Sequence, residues 1–147
     1  MKGDPLLVER LLKNKRVDPS ASDNVAIAWA SKNGHAKVVR QLLKDQRVDP
    51  RTHDNIAIRW ASENGHLPVV ERLLKDQRVD PSALDNYAII LASERGHLKV
   101  VERLLKHQRV NPSALDNAAI RWASAKGHAK VVERLLQDPR VDPSAAI

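Results

Sequence analysis

The stretch DNYAIILASERGHLKVVERLL, residues 85–105, decides how the chain is read, because it recurs. Strings of the same design open at Asp23 (DNVAIAWASKNGH), Asp54 (DNIAIRWASENGH) and Asp116 (DNAAIRWASAKGH), at a constant period of 31 residues. A fixed period of this size is the signature of a stacked array in which each unit buries its apolar face against its neighbours. Full units are expected at 17–47, 48–78, 79–109 and 110–140. Residues 1–16 read as the second half of a unit and 141–147 as the start of another, so that 1–147 forms a single repeat domain.

Within a unit the punctuation gives the elements. Asp23 and Asn24 offer side-chain oxygens where a helix must satisfy its first free N–H groups, and Val25 to Asn33 contains neither Pro nor Gly. Gly34 suits the left-handed position just past a helix end. A second helix is expected from about His35 to Asp45, with Val38, Val39, Leu42 and Leu43 on one stripe and Lys37, Arg40 and Lys44 outward. Pro50 keeps Asp49 out of the helical region, so Arg47 to Pro50 should be an extended turn. The fold class is therefore all-α, a solenoid of helix-turn-helix repeats.

Composition narrows the function classes. With 147 residues, 42% of them hydrophobic, there is enough apolar matter for one folded body, and no 18-residue apolar run could span a membrane. No secretory leader is visible, which sets the expectation of a cytoplasmic location and no membrane partner. Zero cysteines exclude disulfides, a thiol nucleophile and a thiolate metal site. The net charge of +7 points toward an acidic partner, although Asp and Glu are interleaved among the bases.

The string A-S-x-x-G-H-x-x-V-V-x-x-L-L, at Ala30–Leu43, Ala61–Leu74, Ala92–Leu105 and Ala123–Leu136, resembles the second half of an ankyrin repeat. The resemblance covers nearly the whole chain. The Thr-Pro-Leu-His box of that family is replaced by Val25-Ala26-Ile27-Ala28 and its equivalents, and the unit is shorter than the usual ~33 residues. The loss falls in the inter-repeat loop, so short loops with little or no hairpin are expected. The resemblance implies a protein-binding module without catalysis, whose first helices line a concave surface where partners dock. Near-identity of the copies also suits a consensus-like or engineered scaffold with no natural partner, or a segment of a longer repeat protein.

Differences among the copies separate packing from surface. Positions 24, 26, 27, 30, 31, 34, 35, 38, 39, 42 and 43 keep one residue type in every unit. The columns that change are Ser22/His53/Leu84/Leu115, Val25/Ile56/Tyr87/Ala118, Ala28/Arg59/Ile90/Arg121 and Lys32/Glu63/Glu94/Ala125. At ~100° per residue, 25, 28, 29 and 32 share a face, opposite 27, 30 and 31. Trp29, Trp60 and Trp122, with Leu91 in the third unit, add a ladder beside that face. Trp is enriched at binding hot spots but also packs between helices as partial core, and both roles are compatible if one ring edge stays bare. The edited columns, apart from Ala118 and Ala125, are with the three indoles the candidate partner-binding residues.

Two further ladders need a reading. His35, His66, His97 and His128 recur at the same period, but neighbouring helices stand roughly 8–10 Å apart, whereas zinc needs ligands within about 2 Å of one point. They are expected to fasten the second helix to nearby backbone, with no metal or cofactor bound. Arg47, Arg78, Arg109 and Arg140 are the best argument for the alternative of polyanion or nucleic-acid binding, yet phosphates repeat at about 3.4 Å per strand and each Arg has local acids to pair with, such as Asp49 or Asp54 near Arg47. No phosphate loop, carboxylate pair or Ser-His-Asp arrangement emerges. At the C-terminal end Val131 and Leu135 are expected to keep one apolar side partly uncovered, giving marginal order there or end-to-end self-association.

Overall fold

The computed structural model describes residues 3–147. Among these residues it holds nine α-helices and no strand: α1 (Pro5–Lys13), α2 (Ala21–Lys32), α3 (Ala36–Leu43), α4 (Thr52–Glu63), α5 (Leu67–Leu74), α6 (Ala83–Glu94), α7 (Leu98–Leu105), α8 (Ala114–Ala125) and α9 (Ala129–Leu136), followed by a 3₁₀ turn at Pro143–Ala146. The first helices α2, α4, α6 and α8 pack in one row and the second helices α1, α3, α5, α7 and α9 in another, and each pair such as α4 and α5 closes the layer between them. The architecture is the expected all-α solenoid with short loops.

One core runs through the stack. Ile27, Ile58, Ile89 and Ile120 from the first row meet Val39, Val70, Val101, Leu73 and Leu104 from the second, all essentially sealed from solvent. The β-branched residues sit where two helices face each other, and Ala at 57, 61, 88, 92, 119 and 123 lets the first helices approach closely. Each connecting loop adds a residue that its polar surroundings concealed: Val48, Val79, Val110 and Val141 are buried.

The beginning of each first helix departs from the sequence reading. Ser22, Asp23 and Asn24 have φ near +53°, +54° and +64°, and the equivalent residues His53 to Asn55, Leu84 to Asn86 and Leu115 to Asn117 repeat this left-handed turn. No side chain caps the helix that follows. Instead Asn24 Oδ1 accepts the backbone N–H of Asp49 in the next loop (2.7 Å), and Asn55, Asn86 and Asn117 do the same for Asp80, Asn111 and Asp142. The Asn ties two units together rather than capping its own helix.

The C-terminal end also differs from expectation. Val131 and Leu135 are fully buried. Val141 takes the place that Val48, Val79 and Val110 occupy elsewhere, and the 3₁₀ turn packs on α8, where Ser124 Oγ donates to the Ala146 carbonyl (2.6 Å). The last helix is formed, and its core side is covered. Bare apolar surface lies at the other end, where Leu6 is exposed and Leu7, Leu11, Val25 and Trp29 border a groove of about 720 Å³ among α1, α2 and α3.

Candidate functional site

Side-by-side packing of α2, α4, α6 and α8 brings equivalent columns into rows. The Trp29 and Trp60 rings lie 6.2 Å apart between centroids, tilted by 57°. Lys32 sets its ammonium against both, 5.0 Å from the Trp29 ring centre and 4.8 Å from that of Trp60. The ring quadrupole attracts a cation placed there, which fixes a long flexible side chain and both indoles together. Trp29 stays 51% exposed and Trp122 37%; each indole combines helix packing with a bare edge. One row further, Arg95 pairs with Glu63 across adjacent helices (2.9 Å).

The remaining candidate residues divide into three groups. Ser22, Val25, His53, Leu84 and Leu115 are exposed, and Ile56, Tyr87 and Glu94 half-buried, so these side chains reach solvent beside the indoles. Ala28 and Ile90 are 5% and 1% exposed. They belong to the packed layer, and the expectation that they offer a contact to a partner is corrected. Their counterparts Arg59 and Arg121 turn back on their own unit: Arg59 donates from Nε to the Asp54 carbonyl (3.0 Å) and from Nη2 to that of His53 (2.7 Å), and Arg121 reaches the carbonyls of Asp116 and Leu115 in the same way. Position 28 lies under the left-handed turn, where an aliphatic group fills space and a guanidinium satisfies carbonyls.

The histidine ladder is a set of fasteners, as anticipated, but with a more distant partner. His66 Nε2 lies 2.9 Å from the Lys32 carbonyl and His128 Nε2 2.8 Å from that of Glu94. A carbonyl only accepts, so Nε2 carries the proton and donates. His97 bonds the Glu63 backbone, and burial pulls its pKa below the usual histidine value, reinforced by the charges of His66, Arg95 and His128. The rings of His66, His97 and His128 thus anchor their second helices to the first helix of the preceding unit. No group of His, Cys, Asp or Glu able to hold a metal ion occurs among the described residues.

In the arginine ladder the partner is neither Asp49 nor Asp54. Arg47 grips Asp45 with Nε (2.9 Å) and Nη2 (2.7 Å), and its Nη1 donates to the Val17 carbonyl of the preceding loop. Arg78 repeats this with Asp76 and Val48, and Arg140 with Asp138 and Val110. Hydrogen bonds from Arg47 hold the Asp45 carboxyl down to about 2. The Asn column, the same in every unit, was the connection sequence reasoning missed; the signal was a polar residue that never varied among packing positions.

Among the described residues no helix is long and apolar enough to cross a membrane. None of the curated proteins matches the chain significantly. A family model described as ankyrin repeats (3 copies) matches residues 1–85 and 58–146. Repeats of this kind generally mediate protein–protein interaction and are typically non-catalytic. With paired helices at a constant period, a glycine turn closing each first helix and a family match across nearly its whole length, the chain belongs to the ankyrin repeat family.

Proposed function

We propose that the chain is a protein-binding module whose recognition surface is the first-helix face. The observation that carries this reading is the line of partly bare indoles, Trp29, Trp60 and Trp122, beside side chains that vary from unit to unit on a backbone that does not. Val25, Ile56, Tyr87, Leu84 and Leu115 supply apolar contact, and Lys32, Glu63 and Glu94 supply charge. Side chains already held by their neighbours, such as Lys32 between two indoles, lose little freedom when a partner arrives, which limits the ordering cost of association.

The polyanion alternative is weakened by the loop ladder, because Arg47, Arg78 and Arg140 are already neutralised by Asp45, Asp76 and Asp138. End-to-end self-association remains part of the proposal. The bare Leu6, Leu7, Leu11 and Trp29 supply its surface at one end, and Leu136 and Ile147 at the other.

The test is capture of partners by the 147-residue chain alongside a variant carrying Trp29→Ala, Tyr87→Ala and Trp122→Ala, with circular dichroism melts to verify that the variant folds. Proteins retained by the parent and lost by the folded variant are those bound by this face. Unchanged capture would place recognition elsewhere, and capture that collapses between low and high salt for both chains would favour polyanions.

A further inference from the structure

The loop that joins the third unit to the fourth breaks the ladder at two places at once. Where the other loops carry Asp45, Asp76 and Asp138, this one has His107; where they carry Asp49, Asp80 and Asp142, it has Asn111. Loops 44–49 and 75–80 therefore balance a Lys and an Arg against two Asp, whereas 106–111 keeps Lys106 and Arg109 with no acid. His107 copies the backbone role of the missing Asp, since its Nδ1 accepts the Arg109 N–H at 3.2 Å. That bond leaves the ring proton on Nε2. It cannot copy the charge. Among the described residues the exposed Arg109 makes no ion pair and no side-chain hydrogen bond, while Arg47, Arg78 and Arg140 each hold a carboxylate. Arg109 acts through charge on Asp80, whose carboxylate is occupied by the N–H and Oγ of Ser82.

We infer that Arg109, with His107 and Lys106 beside it, is a second recognition point, which takes a carboxylate side chain from an acidic polypeptide. The geometry of the other units shows what the position accepts: two oxygens of one carboxylate against Nε and Nη2, a fork that matches carboxylate shape and strengthens through full charge. His107 Nε2–H supplies another donor on the same loop. A nucleic-acid strand fits less well. It would run on to Arg78 or Arg140, find both taken, and meet the carboxylates of Asp76 and Asp138 instead. The site lies on the inter-repeat loops, apart from the indole row, so it stands or falls independently of the first-helix face.

The experiment follows the arginine Nε–Hε and histidine ring signals of the full chain by NMR while adding a blocked hexapeptide of alternating Glu and Gly, and separately a thymidine hexanucleotide. Saturable shifts at Arg109 and His107 with the peptide are expected. His107→Asp, which restores the internal acid, should weaken binding by about tenfold. Lys106→Gln makes the same change in formal charge but leaves His107 and Arg109 in place, and should weaken it by less than about threefold. Asp76→His frees Arg78 in the same manner and should create a second saturable site there. The inference is overturned if His107→Asp binds like the parent, if it and Lys106→Gln weaken binding equally, if Asp76→His adds no site, or if the hexanucleotide binds more tightly than the peptide.

Discussion

At Gly34, Gly65 and Gly96 two demands fall on one residue. Each has φ between +73° and +78°, and a Cβ on each would come within 2.6 Å of Nδ1 of the next histidine, His66, His97 or His128. Gly127 has the same backbone, φ +76°, but nothing within 4 Å of its Cβ position. The pair separates backbone strain from steric conflict. Gly127→Ala should cost only the left-handed penalty, about 1 kcal/mol, whereas Gly96→Ala must also displace the His128 ring and its bond to Glu94, a total of about 2–4 kcal/mol. Urea melts of the two variants decide it, and equal losses would show that the ring moves freely. The histidines also tie stability to pH. Burial lowers the His97 pKa, so as pH falls the unfolded chain, titrating near about 6.5, takes up its proton before the folded chain does. This contribution is complete above that value and is lost as pH drops through the lower folded pKa. The urea midpoint should therefore be higher at about pH 7.5 than at about pH 5.5, with the His97 ring resonances titrating below the ordinary histidine value. Titration above it would contradict the assignment.

The element that sequence reasoning mistook is the left-handed turn at the start of each first helix. Asp and Asn favour helix N-caps because a short side-chain oxygen can accept a nearby N–H, and they tolerate left-handed backbone for a related reason. Local propensity therefore cannot separate the two. What decides is a partner 25 residues away, the N–H of Asp49, Asp80, Asn111 or Asp142, invisible to any local window. The packing columns were legible because burial repeats: Ile27, Ala30 and Ser31 face inward as the period required. The outer face was legible only in part, since variation at position 28 marks a place where different side chains do different structural work. Leu84 and Leu115 remain as tension, being apolar, half-exposed and left-handed at φ +53° and +54°. Leu84→Asn should stabilise the chain by about 0.5–1 kcal/mol, because Asn adopts this backbone more readily. A thermal melt without any gain would mean that Leu84 packs more usefully than its exposure suggests.

Over the whole molecule, stability is a chain of nearest-neighbour interfaces, and the ends need not be equal. No residue of α1 is fully buried, and Leu6, Leu7 and Leu11 face solvent. In α9 Val131 and Leu135 are sealed, with Val141 and the 3₁₀ turn completing the core. In the centre α5, α6 and α7 are covered on both sides. Local opening draws on the least buried elements first, so amide exchange should proceed from α1 inward, with α9 slower than α1 and α6 slowest. A central substitution sharpens the test. Val101→Ala removes methyl groups from a fully buried site at a cost of about 1–3 kcal/mol. It should lower protection throughout α6, α7 and α8, whose interfaces it weakens. Exchange in α1 should not change, because that helix already opens without disturbing the rest. If instead α1 and α9 exchanged at one rate, and both responded to Val101→Ala as strongly as α7, the stack would be unfolding as a single cooperative body and the inequality of its ends would carry no energetic weight.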